Sequence, residues 1–245
     1  MSGNSQASKT IGNTIVWELD GNALEIKVLL SARKTTVITI NPDLQVGFRG
    51  SISLGEEDIR SILDRKRALI RKKLEFFKQY HPRAPEFSYE KGETLYYLGR
   101  QYRFMIEASA TARIRLLGQW LRLELPEPEN KDRAKRMVDM WFRARAIVFL
   151  SQRYNELYET VKHDFSPKPE LRFRKMKKRW GSCGNGVILL NTEMIKTPPA
   201  CIDYIIMHEL CHVKYKQHNK KFYNKLTHYM PDWMQRKRRL ERSIL

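Results

Sequence analysis

Alternating apolar and polar residues near the start of the chain are typical of strands that bury one face. The turn residues Asp20-Gly21-Asn22 and Asn41-Pro42-Asp43 separate these apolar segments. The succession of short segments and turns predicts a small β-meander. Its strands are expected over residues 15–19, 24–30, 35–40 and 44–48.

Helical spacing of apolar residues appears on both sides of a second strand-rich stretch. Ser53-x-x-Glu56 has the pattern of a capping box, and apolar residues then recur at helical spacing to about His81-Pro82. A longer apolar stripe predicts a second helix from about Lys131 to Lys162. The strands predicted between these two helices cover residues 93–99, 102–108, 112–117 and 120–125.

The C-terminal part combines a short sheet with apolar helices. A strand over residues 171–176 and a second over 187–191, after the turn at Gly184-Asn185-Gly186, precede a helix that begins near Thr197-Pro198-Pro199. The expected fold class is α+β, with an N-terminal β-rich region that contains two long helices and a C-terminal module of a short sheet and a helix. The chain is predicted to divide into a disordered tail over 1–12, the N-terminal region over 13–165 and the C-terminal module over 166–245. The N-terminal region and the C-terminal module are expected to pack as one unit.

The main candidate for chemistry is the segment His208-Glu209-Leu210-Cys211-His212, which has the pattern H-E-x-x-H. Two residues four apart lie about 40° apart around a helix and about 6 Å apart along it, so both imidazoles can reach one metal ion. Neutral imidazole suits zinc, and a hydrolytic zinc site keeps one position open for water. Glu209 stands beside the first histidine and can take the proton of that water as a general base.

A third ligand is harder to place. His218 lies six residues after His212, which is about 600° of rotation on a continuous helix and turns it away from the metal. Related motifs place a glycine where this chain has Tyr215, so no glycine marks a turn here. Asn219 is a candidate N-cap for a new helix, which favours a turn before it. We rank His218 first as third ligand, ahead of His228, Asp232 and Glu241.

Other polar residues near the motif are candidates for supporting roles. A hydrolase needs a group that stabilises the developing oxyanion, and Arg179, Tyr215 and Tyr223 are the candidates by chain proximity. Arg179 also fits as one more cation in a basic hairpin, and both tyrosines also fit as packing residues. Asp203 or Asp232 could orient a ligand histidine through a carboxylate, although an acid near a helix start suits Asp203 equally well.

The composition fits a folded protein with a basic surface. The 245 residues include 46 Lys and Arg against 27 Asp and Glu, which gives a formal charge of +19. Such an excess favours binding to polyanions, so the charge predicts either non-specific binding to nucleic acid or a generic basic surface. Because there are only three cysteines, no apolar leader and no run long enough for a membrane span, we expect a cytoplasmic protein without membrane contact.

Several segments recur together in one known family. They are Lys178 to Cys183, Gly186 to Asn191, Pro199 with Ile202-Asp203-Tyr204, His208 to His212, His218-Asn219, Phe222 and Met230 to Trp233, with Ser31 to Lys34 and Leu98 to Arg100 nearer the N-terminus. In this order they resemble the YgjP-like zinc metallopeptidase family. The resemblance implies a cytoplasmic, bacterial-type zinc hydrolase with a zincin-like core, in which the motif helix packs beside a short sheet. It also implies His208, His212 and His218 as zinc ligands and Glu209 as catalytic base.

The function predicted from the sequence is therefore that of a zinc metallopeptidase that hydrolyses peptide bonds in a protein or peptide substrate. One alternative keeps the metal but acts on a nucleotide or nucleic acid, with Lys177, Lys178 and Arg179 binding phosphate. A further alternative is a nucleic-acid-associated protein in which the zinc is structural. A closed site with four protein ligands would favour the structural alternative, whereas an open position favours catalysis.

Overall fold

A computed structural model gives the fold over residues 11–41, 43–78, 87–176 and 179–243. The chain divides into two compact units, which meet in sequence between residues 84 and 85. Nearly all of the tail predicted over residues 1–12 lies outside the described residues. The predicted division between residues 165 and 166 stays a prediction, and the core of the second unit includes residues on both sides of it.

The sheet of the first unit differs from the predicted meander. Its strands pair in the order β1-β2-β4-β3, with β2 and β4 parallel, so the prediction of a meander was wrong. Val46 and Phe48 of β4 are almost wholly buried, whereas β3 has no fully buried residue. The more buried strand is thus the central one, and β3 lies at the edge. The strands are β1 (Ile11–Leu19), β2 (Asn22–Ser31), β3 (Val37–Ile40) and β4 (Val46–Ser51).

Two helices, α1 (Glu56–Arg65) and α2 (Arg67–Lys78), follow this sheet in place of the single predicted helix. The predicted capping residue was also wrong, because Gly55 is the N-cap and its amide donates to the Asp58 carboxylate. The helical path breaks at Lys66, while the apolar faces of both helices still reach the core of this unit.

The second unit opens with a sheet of the same topology. Its order is β5-β6-β8-β7, and β6 pairs with β8 in parallel as β2 pairs with β4. The chain thus repeats one strand arrangement without a repeat that is visible in its sequence. All four predicted strands are confirmed, as β5 (Thr94–Tyr97), β6 (Arg100–Ala108), β7 (Arg113–Leu117) and β8 (Trp120–Leu125).

The long helix α3 (Lys131–Val161) agrees with its predicted bounds. The Asn130 side chain caps it by accepting from the Arg133 amide, which satisfies one of the unpaired donors of the first turn. Apolar residues at helical spacing, including Leu150 and Tyr154, face the core of the second unit. That core is also where the motif helix lies.

The C-terminal sheet has the order β10-β11-β9, with β10 antiparallel and β9 parallel to the central strand. The motif helix α4 begins with Pro199, a residue suited to a first turn, and is buried along most of its length. The fold class is α+β, as predicted, and no described helix combines the length and apolar character that a membrane span requires. The remaining elements are β9 (Glu170–Arg174), β10 (Gly181–Gly184), β11 (Val187–Asn191), a 3₁₀ turn (Thr192–Lys196), α4 (Pro199–Lys214), α5 (Lys220–Tyr229) and α6 (Trp233–Ser243).

An ion-pair cluster ties the start of α4 to α3 and α6. Arg153 of α3 donates to both carboxylate oxygens of Asp203, at 2.8 and 2.9 Å. Arg236 of α6 approaches the same carboxylate at 3.5 Å and also pairs with Asp232. The Asp203 side chain is only 13% exposed, so removal of its charge leaves two guanidinium groups without their shared partner.

We expect Asp203→Asn to lower the free energy of unfolding by about 2 kcal/mol, because a partly buried charge pair is broken on one side. Urea denaturation monitored by circular dichroism measures the change. Glu159→Gln is the matched control, since Glu159 pairs with Lys162 at the exposed surface and its removal should have no measurable effect. Equal effects of the two substitutions would contradict this assignment.

Candidate metal and catalytic site

Three histidines of the second unit converge on one point. The Nε2 atom of His212 lies 3.2 Å from that of His208 and 3.0 Å from that of His218. The remaining pair, His208 and His218, is also 3.0 Å apart. The structure therefore brings together all three histidines that the sequence nominated as ligands, and among the described residues they form the group suited to a metal ion.

The end of α4 explains how His218 reaches the other two. The helix stops at Lys214, and Tyr215 continues in an extended conformation with φ −113°, which any L-residue can adopt. The turn therefore needs no glycine. Asn219 then caps α5 by accepting from the Phe222 amide, as the sequence predicted, so His218 stands in the short link between two helices.

Phe222 forms the floor beneath the three imidazoles. Its ring centroid lies 5.0 Å from that of His208, 4.7 Å from that of His212 and 4.8 Å from that of His218. The side chain is fully buried, so it supports the rings from the protein side. Sequence reasoning gave Phe222 no role at the site, although its place one helical turn after His218 was the available signal.

The arrangement fits a tetrahedral metal such as zinc. Zinc–imidazole bonds of about 2.0–2.1 Å place neighbouring nitrogens of a tetrahedron roughly 3.3 Å apart, close to the observed spacing. A carbonyl oxygen can only accept, so His212 Nδ1 carries its proton toward the Tyr215 carbonyl at 2.9 Å and leaves Nε2 with a free lone pair. Burial lowers the pKa of His208 to about 3, with the neighbouring histidines adding to the shift, and this keeps the ring neutral.

Glu209 follows His208 on helix α4 and points its carboxylate into the interior. The residue is 6% exposed, and its Oε2 atom is buried without a hydrogen-bond partner among the described residues. Burial raises the pKa of Glu209 to about 7, and the charge of Arg179 opposes that shift. A buried, unpartnered carboxylate is costly, so its retention next to a metal-ligand cluster is the arrangement expected of a proton acceptor.

A cavity of ~310 Å³ opens beside Glu209. Tyr204, Ile205 and Leu240 contribute apolar surface, while Arg179 and Lys237 contribute positive charge. Arg179 is therefore near Glu209, as an oxyanion-stabilising group would have to be. Lys177 and Lys178, its predicted companions in phosphate binding, lie outside the described residues.

The two tyrosine candidates have different surroundings. Tyr223 stacks on His218, at 6.1 Å between ring centroids, and on Trp233, at 5.3 Å. Trp233 in turn stacks on Tyr204, so a column of rings follows the rim of the site. Tyr215 acts through its backbone carbonyl, which orients His212. Packing is thus a role of the Tyr223 ring.

The predicted carboxylate partner of a ligand histidine was wrong. Asp203 pairs with Arg153 and Arg236, and Asp232 pairs with Arg236. These ion pairs satisfy both acids at the far end of α4, where the helix joins α3 and α6. The group that orients His212 is a backbone carbonyl instead, which sequence reasoning cannot locate because every residue carries one. The cluster does not include the alternative ligands His228, Asp232 and Glu241.

The chain is similar to a known protein family and, more distantly, to a solved structure. A family model described as the YgjP-like metallopeptidase domain matches residues 34–243. One similar solved structure is the metallopeptidase zymogen jannalysin of Methanocaldococcus jannaschii, with 22% identity and a TM-score of 0.35. The match covers 39% of this chain and 97% of the archaeal one. None of the curated proteins matches the chain.

We expect His218→Ala to weaken zinc binding by roughly 100-fold or more, because one of three converging donors is lost. Competition with a chromogenic chelator measures the affinity. His228→Ala is the matched control, since His228 is an exposed histidine of the adjacent helix and lies outside the cluster. Unchanged affinity of the His218 variant, or an equal loss in the control, would move the third ligand elsewhere.

Proposed function

The chain belongs to the YgjP-like metallopeptidase family, whose model matches most of its length, and from this premise we propose that it hydrolyses peptide bonds at a zinc ion, with Glu209 as the general base. Membership makes the chain a metallopeptidase, which acts on a protein or peptide. The observation that supports the proposed chemistry best is the buried, unpartnered oxygen of Glu209, the residue that follows His208, on the same helix as two of the three converging histidines.

His208, His212 and His218 would hold the zinc ion through their Nε2 atoms. When bound there, zinc polarises a water molecule and the substrate carbonyl and so makes attack possible near neutral pH. The protein fixes the donors from three sides. Phe222 packs under the rings, the Tyr215 carbonyl fixes the tautomer of His212, and burial keeps His208 neutral.

Glu209 is the residue that transfers the proton in the proposed reaction. Its carboxylate takes a proton from the attacking water and passes it to the nitrogen of the leaving amine. Burial raises the pKa of Glu209, and the positive charge of a bound zinc ion would lower it again, which would leave the carboxylate free to accept the proton. The low exposure of the residue also keeps bulk water from competing for the proton.

The adjacent cavity is the proposed location for a substrate side chain next to the cleaved bond. Its volume of ~310 Å³ exceeds that of a single large apolar side chain, and Tyr204, Ile205 and Leu240 give it an apolar wall. Arg179 is the proposed oxyanion-stabilising cation, because it lines the same cavity as Glu209. The apolar wall, together with the carboxylate of Glu241 on the same cavity, favours a peptide over an anionic phosphate ester.

Other predicted features stay predictions. The charge of +19 still permits non-specific binding to nucleic acid, which would recruit the enzyme to substrates bound there. Cytoplasmic location is likewise a prediction from the sequence. Neither affects the proposed chemistry at the histidine cluster.

We expect Glu209→Gln to lower kcat on a casein-derived peptide by roughly 1000-fold or more, because the amide cannot accept the proton. Zinc content, measured by metal analysis, should remain that of the unaltered chain. Glu159→Gln makes the same chemical change on the exposed surface of α3 and should leave kcat unchanged. Loss of zinc in the Glu209 variant would make Glu209 a ligand, and retained activity would remove it from the mechanism.

A substrate screen separates the peptidase from the phosphohydrolase. We expect the zinc-loaded chain to cleave casein and to leave nucleoside triphosphates intact, because the cavity beside Glu209 has an apolar wall. Peptide products are detected by mass spectrometry and released phosphate by a colorimetric assay. Phosphate release that depends on Glu209, without peptide cleavage, would overturn the proposed function.

A further inference from the structure

Gly181 is the residue of strand β10 that faces the Glu209 side chain. A Cβ atom built on Gly181 would lie 2.7 Å from Glu209 Oε1, 2.8 Å from Cγ and 2.9 Å from Cδ. Optimal separations between such atoms are about 3.5–4.0 Å, so all three contacts are prohibitively short. Every side chain other than hydrogen would therefore occupy the space that the Glu209 carboxylate now fills.

Space, and not backbone freedom, is what requires glycine here. Gly181 is absent from the residues with positive φ, whereas five other glycines in the described chain have a positive φ. Gly184, at the other end of the same strand, provides the contrast, because a Cβ atom there would meet nothing within 4 Å. The constraint therefore belongs to the position that faces Glu209 and not to the strand.

Strand β10 cannot easily withdraw from Glu209. Gly181 pairs with Leu190 in the antiparallel ladder, and the Trp180 carbonyl accepts from the Asn191 amide at 2.8 Å. The Asn191 side chain, almost wholly buried, donates to the carbonyls of Met176 and Arg179. These bonds, which come from the backbone and the side chain of Asn191, hold the segment before Gly181 against β11, so an added methyl group displaces the carboxylate more readily than the strand.

We infer that Gly181 is a positioning residue for Glu209: its missing side chain sets where the carboxylate stands relative to the histidine cluster. The inference rests on the proposed function of Glu209 and extends it to the strand beside the motif helix. Gly181 touches neither metal nor substrate in this account. It acts through the Glu209 side chain alone.

The test compares Gly181→Ala with the matched control Gly184→Ala in the full, zinc-loaded chain. For Gly181→Ala we expect kcat to fall roughly 100-fold, since a shift of about 1 Å in a catalytic group can have that effect. KM should change by less than about threefold and zinc content should stay constant, because uniform substrate binding and the ligands are untouched. Gly184→Ala should keep the zinc content and unfolding temperature of the unaltered chain.

Crystal structures of the unaltered chain and of Gly181→Ala test the placement without any assay of activity. We expect the Glu209 carboxylate to move by about 1 Å or more while the three histidines superpose. An unmoved carboxylate, or a kcat within about threefold of the unaltered value, would overturn the inference. If the unaltered chain cleaves no peptide, the proposed function fails, and the crystallographic comparison still decides the role of Gly181.

Failure of Gly181→Ala to fold is also informative. The double variant Gly181→Ala with Glu209→Ala removes the atoms that the new methyl group would meet. Recovery of folding in the double variant supports the inference. An equal defect in both variants assigns the contact to other neighbours and contradicts it.

Discussion

The site depends on where helix α4 ends. A helix that continued past Lys214 would turn His218 about 120° away from His212 around the axis and carry it about 9 Å along the axis, so the three nitrogens could not meet. Tyr215 leaves the helix in an extended conformation, and its carbonyl accepts from His212 at the same point. The extended conformation of Tyr215 thus ends the helix and directs the chain toward the Asn219 cap, and its carbonyl fixes the tautomer of His212.

Burial around this turn determines the chemistry of its neighbours. The same low-polarity surroundings lower the pKa of His208 and raise that of Glu209, so the imidazole is neutral and the carboxylate holds protons more tightly. Helix α4 maintains these surroundings because it is enclosed by α3, α6 and the short sheet. Asp203 anchors its first turns through Arg153, at a distance from the reaction but on the element that carries it.

Local signals accounted for much of what the sequence predicted. The bounds of α3, the Asn219 cap and the H-E-x-x-H spacing all follow from interactions within a few residues, and the structure agrees with them. The parallel pairing of β2 with β4 was missed because it depends on which strands bury most surface together. The contact of Gly181 with Glu209 and the packing of Phe222 under the histidines were missed for the same reason, since both are tertiary contacts.

X-ray absorption spectroscopy of the zinc-loaded chain tests the central claim most directly, because it reports the donors around the metal. The account predicts three imidazole nitrogens and one exchangeable oxygen at about 2.0 Å. A closed shell of four protein donors, or a sulfur donor at about 2.3 Å, would contradict it. Such a shell would leave no position for water and would make the zinc structural.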